Sequence, residues 1–236
     1  MQLVKENLDL TLYEDSRELV NATARQMLEF VAQQLIDNGV CHIALTGGTL
    51  GEAFSHRLVE LLNSRPNDFA GLHIWFSDER FTTSDSPLRN SRPVQDGLQN
   101  SLVFVHEVAS TADAITVIEA AASYNAELCE VIMDICLLGL GPDGHVASLF
   151  PSRFDPQEQA RAIAILDSPK PPVERVTFSM NYINASEQVW IIASGEAKAH
   201  AVTQLLEGSA EIPAGHISAH KITRLIIDNS ALFTQH

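Results

Sequence analysis

The sequence predicts an α/β fold: a mostly parallel sheet with helices on both faces. Two observations carry this. Short apolar runs alternate with stretches of helical periodicity along the chain, and several runs are apolar at nearly every position rather than every second one. Strands covered by helices above and below read this way, because neither of their faces meets water.

The first helix is expected over 15–38, where Val20, Ala24, Met27, Val31 and Leu35 recur at three- and four-residue steps and Gly39 supplies a stop. A β-prone run over 41–46 ends at Gly47-Gly48, and helical spacing resumes over 52–62. Runs over 72–77 and 103–106 predict two further strands. The stretch 111–130, rich in Ala, Glu and Ile, predicts a helix leading into a strand over 133–138. Beyond the Pro-rich piece 169–172 come strands over 176–179 and 188–193, a helix over 196–206 and a strand over 222–227. No repeat, low-complexity segment or long linker divides the chain. A single domain over 1–236 is therefore expected, with room for a small lobe.

Composition narrows the function classes. A chain of 236 residues supports a sizeable core, and 45% apolar with 19% charged residues argues against disorder, collagen and coiled coil. The formal net charge of −15, with no basic run to offset it, leaves no electrostatic footprint for nucleic acid. No apolar run approaches the roughly 20 residues needed to span a bilayer, and the N-terminus carries Lys5, Glu6 and Asp9 where a secretory segment is apolar. A cytoplasmic protein without a membrane partner is expected. Three cysteines, Cys41, Cys129 and Cys136, show no paired spacing and read as buried, reduced thiols.

Four polar or Gly-rich segments each follow a predicted strand: Thr46-Gly-Gly-Thr49, Ser77-Asp-Glu-Arg80, Gly139-Leu-Gly-Pro-Asp-Gly-His145 and Ser194-Gly-Glu-Ala-Lys198. In a parallel sheet all strand C-termini share one edge, so these segments should meet in one crevice. Gly47 and Gly48, placed between a strand and a helix, offer free N–H groups and close approach to a phosphate; the alternative is an ordinary turn. Lys198, in the first turn of a helix, opposes the macrodipole unless an anion is also there; the alternative is a tolerated surface lysine. Asp78 and Arg80 stand at the mouth of the sheet, where Arg grips phosphate or carboxylate with a two-pronged fork; the alternative is a solvated loop with a local ion pair.

Gly139-Leu-Gly-Pro-Asp-Gly144 matches the dinucleotide string, but Pro142 sits inside the turn and Pro151 stops any long helix, so the context fails. The loop instead delivers His145 in a Gly-rich turn after a buried strand, a natural mount for a general base. His42, His56, His73, His106, His200 and His236 read as structural or exposed. His216 and His220, four apart, are suited to share a helical face, yet have no acidic or thiol partner at metal-ligand spacing, so no metal is expected. Serine-hydrolase elbow, zincin and P-loop motifs do not occur.

Ala44-Leu-Thr-Gly-Gly-Thr49, Trp75-Phe-Ser-Asp-Glu-Arg80 with Asn90 downstream, and the segment from Leu138 through Gly-Pro-Asp-Gly-His145 to Ser-Leu-Phe-Pro151 resemble the 6-phosphogluconolactonase family. Pro172-Val-Glu-Arg-Val-Thr177 and Gly195-Glu-Ala-Lys198 extend the match over about 40–215. The resemblance implies a three-layer sheet of the amino-sugar phosphate isomerase and ribose-5-phosphate isomerase type. It also implies hydrolysis of 6-phospho-D-glucono-1,5-lactone in the pentose phosphate pathway without metal or organic cofactor, by a monomer or homodimer.

Under the same resemblance His145 is the base and Asp143 steadies the loop or the imidazole. Gly47, Gly48, Thr49 and Lys198 cradle phosphate, with Asp78 part of the binding set. Arg80 grips phosphate or lactone oxygens, Arg175 is a weaker candidate, and an arginine or the N–H groups near Gly144 receive the oxyanion. The family usually has serine at Thr46 and Thr49, Thr-Pro at Leu50-Gly51 and threonine at Val146. Two rival readings are an amino-sugar phosphate isomerase or deaminase and a non-catalytic sugar-phosphate regulator. The isomerases continue from this histidine into Ala-Phe-Asn-Glu-Pro, where the present chain has Ala147-Ser-Leu-Phe-Pro151.

Overall fold

A computed structural model describes residues 8–65 and 67–232. The charged N-terminal residues Lys5 and Glu6, and His236, lie outside the described residues. Strand β1 (Leu8–Tyr13) leads to helix α1 (Ser16–Asn38), which Asp15 caps by accepting the Glu18 N–H and Gly39 closes at φ 75°. Strand β2 (Cys41–Leu45) and helix α2 (Gly48–Ser64) follow, then β3 (Leu72–Phe76), β4 (Asp78–Arg80), the short α3 (Arg92–Gly97) and β5 (Phe104–Val105). The next elements are α4 (Val117–Glu127), β6 (Ile135–Gly139), β7 (Ala162–Ile165), β8 (Arg175–Phe178) and α5 (Met180–Asn184). Strand β9 (Gln188–Ala193), a 3-10 turn (Glu196–Lys198), α6 (Ala199–Leu206) and β10 (Ile222–Asp228) complete the described core.

Seven strands form one sheet in the order β1-β10-β9-β6-β2-β3-β5, every neighbouring pair parallel. Side chains alternate across it. Cys41, Ile43, Leu45, Ile74 and Ile135 point to the side packed by α1 and α2, while Ala44, Trp75, Cys136, Leu138 and Val189 meet α4 and α6. Both faces are thereby dry, which is why these strands read as nearly continuous apolar runs.

Several expectations need correction. The charged segment 78–80, expected as a loop, is strand β4; it pairs antiparallel with β8, which pairs with β7 in a separate three-stranded sheet. The run 176–179 therefore lies outside the parallel sheet. Helix α4 begins at Val117 rather than 111, because Thr116 and Glu119 form a reciprocal capping box there. Helix α2 reaches back to Gly48, since Gly47 serves as its N-cap. Edge strand β1 is too exposed to show the apolar pattern that marks its neighbours. His216 lies in a 3-10 turn and His220 beyond it, so they share no helix. Cys41 and Cys136 are buried, their thiols pushed up chiefly by burial, but Cys129 is exposed. Among the described residues no helix is long and apolar enough to cross a membrane, and no His/Cys/Asp/Glu group is placed to hold a metal ion.

The sheet order has one switch point that matters. From β2 the chain runs outward through β3 to β5, whereas β6 pairs on the other flank of β2 and the chain then continues through β9 and β10. Ligands in open α/β sheets bind at such a point, beyond the carboxyl ends of the strands.

Candidate active site

A cavity of about 800 Å³ opens at that switch point. Its walls come from the segments following β2, β3, β6 and β9, so four stretches far apart in sequence share one space. Gly47, Gly48, Thr49, Asp78, Arg80, His145, Arg175 and Lys198 all line it. The volume falls within the usual range for small-molecule sites.

The β2 wall presents the N-terminus of a helix. Helix α2 starts at Gly48 with no side-chain cap and no acidic residue in its first turn, leaving N–H groups unpartnered by any cap. Glycine at 47 is a packing necessity, because a Cβ there would fall 1.9 Å from Asn90 Oδ1; at Gly48 the requirement is conformational, with φ +76° and open space around it. Thr46 Oγ1 accepts the Gly139 N–H at 3.2 Å, tying the β2 and β6 loops together.

The β6 wall carries His145. Residues 140–146 fold into a tight turn in which Gly141 N–H donates to His145 O at 2.8 Å and Gly144 N–H to Gly141 O at 3.0 Å. Asp143 Oδ1 and His145 Nδ1 are hydrogen-bonded, which leaves Nε2 as the ring nitrogen available to a ligand. Phe150 packs against the imidazole, ring centroids 4.8 Å apart. Burial holds the His145 pKa below the usual histidine value, with Asp143 pulling it back up and Lys170 reinforcing the drop. Burial works to raise Asp143, but the hydrogen bond and charge of His145 outweigh it and leave the carboxyl below its ordinary range.

Asp143 stands behind the imidazole rather than on the cavity. Gly144 does not reach it either: its φ of +78° turns the chain, it packs against Ile212, and its N–H is spent on Gly141. The expected oxyanion role for that N–H is corrected accordingly. Asp78 lines the cavity, yet its carboxylate accepts Ser148 Oγ at 2.7 Å and Asn90 Nδ2 at 3.1 Å and lies 3.8 Å from Arg175 Nη1. It positions three neighbours and is not open to an anion.

Sequence reasoning missed Arg17, Asn90 and Lys170 as wall residues. Arg17 comes from the first turn of α1 and carried no signal. Asn90 was quoted only as part of a motif; its amide donates to Asp78 O and Oδ1 and packs close to Gly47. Lys170 was read as part of a proline-rich connection. With these, Arg17, Arg80, Lys170, Arg175 and Lys198 bring five cations to a cavity whose only carboxylate among the described residues, Asp78, is already paired. In a chain of net charge −15 this is a local reversal of sign, and it is the local field that selects a ligand.

Fold and cavity together define a parallel α/β protein with a cation-lined cleft and a half-buried histidine at its switch point. The chain belongs to the glucosamine-6-phosphate isomerase/6-phosphogluconolactonase family, whose model matches residues 14–227. A 6-phosphogluconolactonase of Streptomyces coelicolor is 32% identical over 94% of this chain and 92% of its own length. One from Mycobacterium tuberculosis is 30% identical over 94% and 96%. The solved 6-phosphogluconolactonase of Trypanosoma brucei superposes with a TM-score of 0.79 at 25% identity, covering 97% of this chain and 98% of that one. A monomeric glucosamine-6-phosphate deaminase shares the fold, with a TM-score of 0.77 at 22% identity over 94% and 98%.

Proposed function

We propose that this chain hydrolyses 6-phospho-D-glucono-1,5-lactone to 6-phosphogluconate, as a single catalytic domain acting on a small phosphorylated ligand in the cytoplasm. The observation that carries the reading is the half-buried His145, hydrogen-bonded to Asp143, in one cavity with five cationic side chains. A lactone with a phosphate tail needs those two things and no others: a base at the carbonyl and positive charge at the tail.

The α2 N-terminus at Gly47, Gly48 and Thr49 receives the phosphate, with Arg80 and Lys198 supplying charge. His145 Nε2 takes a proton from water as its oxygen attacks the lactone carbonyl; the resulting imidazolium returns a proton to the ring oxygen as the C1–O bond breaks. Asp143 holds the tautomer this requires and stabilises the imidazolium. A lowered His145 pKa keeps the base neutral and ready near pH 7. Against isomerisation or deamination stands the run Ala147-Ser-Leu-Phe-Pro151, which has Phe150 where those enzymes carry the acidic residue before the proline.

Because the lactone also opens spontaneously, the test is the rate above buffer with freshly generated lactone. Wild type should exceed the background and His145→Ala should return to it, with 6-phosphogluconate still bound. Turnover of glucosamine 6-phosphate, or equal binding with negligible turnover by both proteins, would overturn the proposal.

A further inference from the structure

Three donors of the turn that carries His145 are already engaged within the turn rather than aimed at the negative charge that hydrolysis would build on the carbonyl oxygen. The N–H groups of Gly141 and Gly144 close the turn internally, and the His145 N–H lies against Asp143 Oδ1. The Arg175 fork is likewise committed: Nε donates to Pro172 O, Nη2 to Lys170 O, and Nη1 lies against Ser148 and Asp78. Arg80 Nη1 donates to Leu88 O, on the Asn90 side of the cavity.

Lys170 differs from all of these. The chain has only four lysines, and Lys170 and Lys198 both line this cavity. No carboxylate among the described residues lies within ion-pair distance of either; Lys221, by contrast, pairs with Glu187. The Lys170 backbone is anchored, since its carbonyl accepts Arg175 Nη2 at 3.0 Å and Ser168 Oγ at 3.1 Å, while the residue itself stays exposed at the cavity wall. It lines the same cavity as His145 and Lys198, and its charge acts on both of them. A flexible ammonium on a fixed backbone, sharing the cavity with His145 and lacking a carboxylate partner among the described residues, is what a developing oxyanion needs.

We infer that Lys170 is a catalytic residue of the lactone hydrolysis proposed above: its ammonium receives the carbonyl oxygen as that oxygen becomes negative. The assignment rests on that functional reading. As water attacks and His145 takes its proton, the carbonyl π electrons move onto oxygen beside Lys170. When they return, the ring C–O bond breaks, His145 delivers the proton to the departing oxygen, and the carboxylic acid product ionises beside the same ammonium.

The test compares wild type, Lys170→Met and Lys170→Arg with freshly generated lactone across pH. Lys170→Met should lose about 10²-fold in kcat with KM changed less than threefold, as for loss of one oxyanion donor. Removing a cation near His145 should also move the acid limb of the profile to higher pH, a change that mere loop damage would not produce, and Lys170→Arg should recover most of both. A kcat within threefold of wild type, or a loss confined to KM, would overturn the assignment while leaving the lactonase reading intact. A wild-type protein no faster than buffer would instead bring down that reading, and the role of Lys170 with it.

Discussion

The Asp143 carboxylate hydrogen-bonds Nδ1 of His145 from two residues away in the same turn. With Nδ1–H committed to Asp143, the Nε2 lone pair is the one left for water. Asp143→Asn removes the charge that stabilises an imidazolium and allows the amide to present an N–H instead, favouring the wrong tautomer. We expect kcat to fall about 10- to 100-fold with little change in KM. The pH profile adds a sign. Burial already puts the His145 pKa below 6.5, so the acid limb of kcat/KM in wild type should lie below that value, with activity lost as pH falls through it. Asp143 opposes that drop, and its removal should move the limb lower still. A limb above 6.5, or one that rises in the variant, would contradict this arrangement.

Gly47 and Asn90 form a second coupled pair. A methyl group at 47 would collide with the Asn90 amide at 1.9–2.6 Å, and Asn90 is itself held by Asp78. Gly47→Ala should therefore displace the α2 N-terminus and raise KM about tenfold or more, a loss of the size that one charge-assisted contact carries. Asn90→Ala should partly relieve the Gly47→Ala defect, so that the double variant binds better than the sum of the single effects. Strict additivity of the two in KM would show that the contact is not what constrains Gly47.

Most of this architecture was legible because it rests on local signals. Gly39, Gly47 and the apolar runs of β2, β3, β6, β9 and β10 mark a parallel sheet, and parallel sheets place loop residues on one edge. What escaped the sequence depended on tertiary placement. Strand β4 is three charged residues, Asp78, Glu79 and Arg80, whose β geometry comes from pairing with β8 about 100 positions later. Lys170 and Arg17 reach the cavity because β8 and α1 dock there, and no local pattern records that. The functional weight assigned to Gly144 failed because φ and N–H partners are properties of the folded turn.

Glu79 is fully buried and acts as a three-point staple. Its carboxylate accepts the N–H groups of Arg80 at 2.8 Å, Asn90 at 2.6 Å and Ser91 at 2.9 Å, with Arg89 Nε at 3.9 Å. Burial raises its pKa, against the pull of Arg89 and the three amides. Glu79→Ala would leave three N–H donors unsatisfied and the Arg89 guanidinium short of charge, which should cost about 3–5 kcal/mol in urea unfolding. Glu79→Gln keeps the shape and one acceptor and should lose less. An alanine variant within about 1 kcal/mol of wild type would mean that water replaces the carboxylate without penalty.

His42, His73 and His106 form a chain of imidazoles beside Trp75, away from the cavity. Trp75 Nε1 donates to His42 Nδ1 at 3.1 Å, His73 Nδ1 and His106 Nε2 share a proton across 2.8 Å, and His106 stacks on Trp75 with centroids 3.7 Å apart. Each of the two hydrogen bonds needs a neutral ring nitrogen as acceptor. The nearby carboxylates, Asp134 on the His42 N–H and Glu127 at 3.9 Å from His106 Nδ1, do not offset burial, which pushes His42 and His106 down to about 4 and lowers His73. The unfolded chain takes up these protons near pH 6.5, whereas folded His42 and His106 do so only near 4 and His73 below its ordinary value, so the folded state binds fewer protons in that window. Stability should accordingly fall as pH drops from 7 to 5, above the range where most carboxylates titrate. Urea midpoints across that interval provide the measurement, and His106→Phe, which keeps a ring on Trp75 but removes one titrating group, should flatten the slope. A midpoint independent of pH between 7 and 5, or an unchanged slope in His106→Phe, would show that these imidazoles accept protons in the folded state without disturbing the sheet.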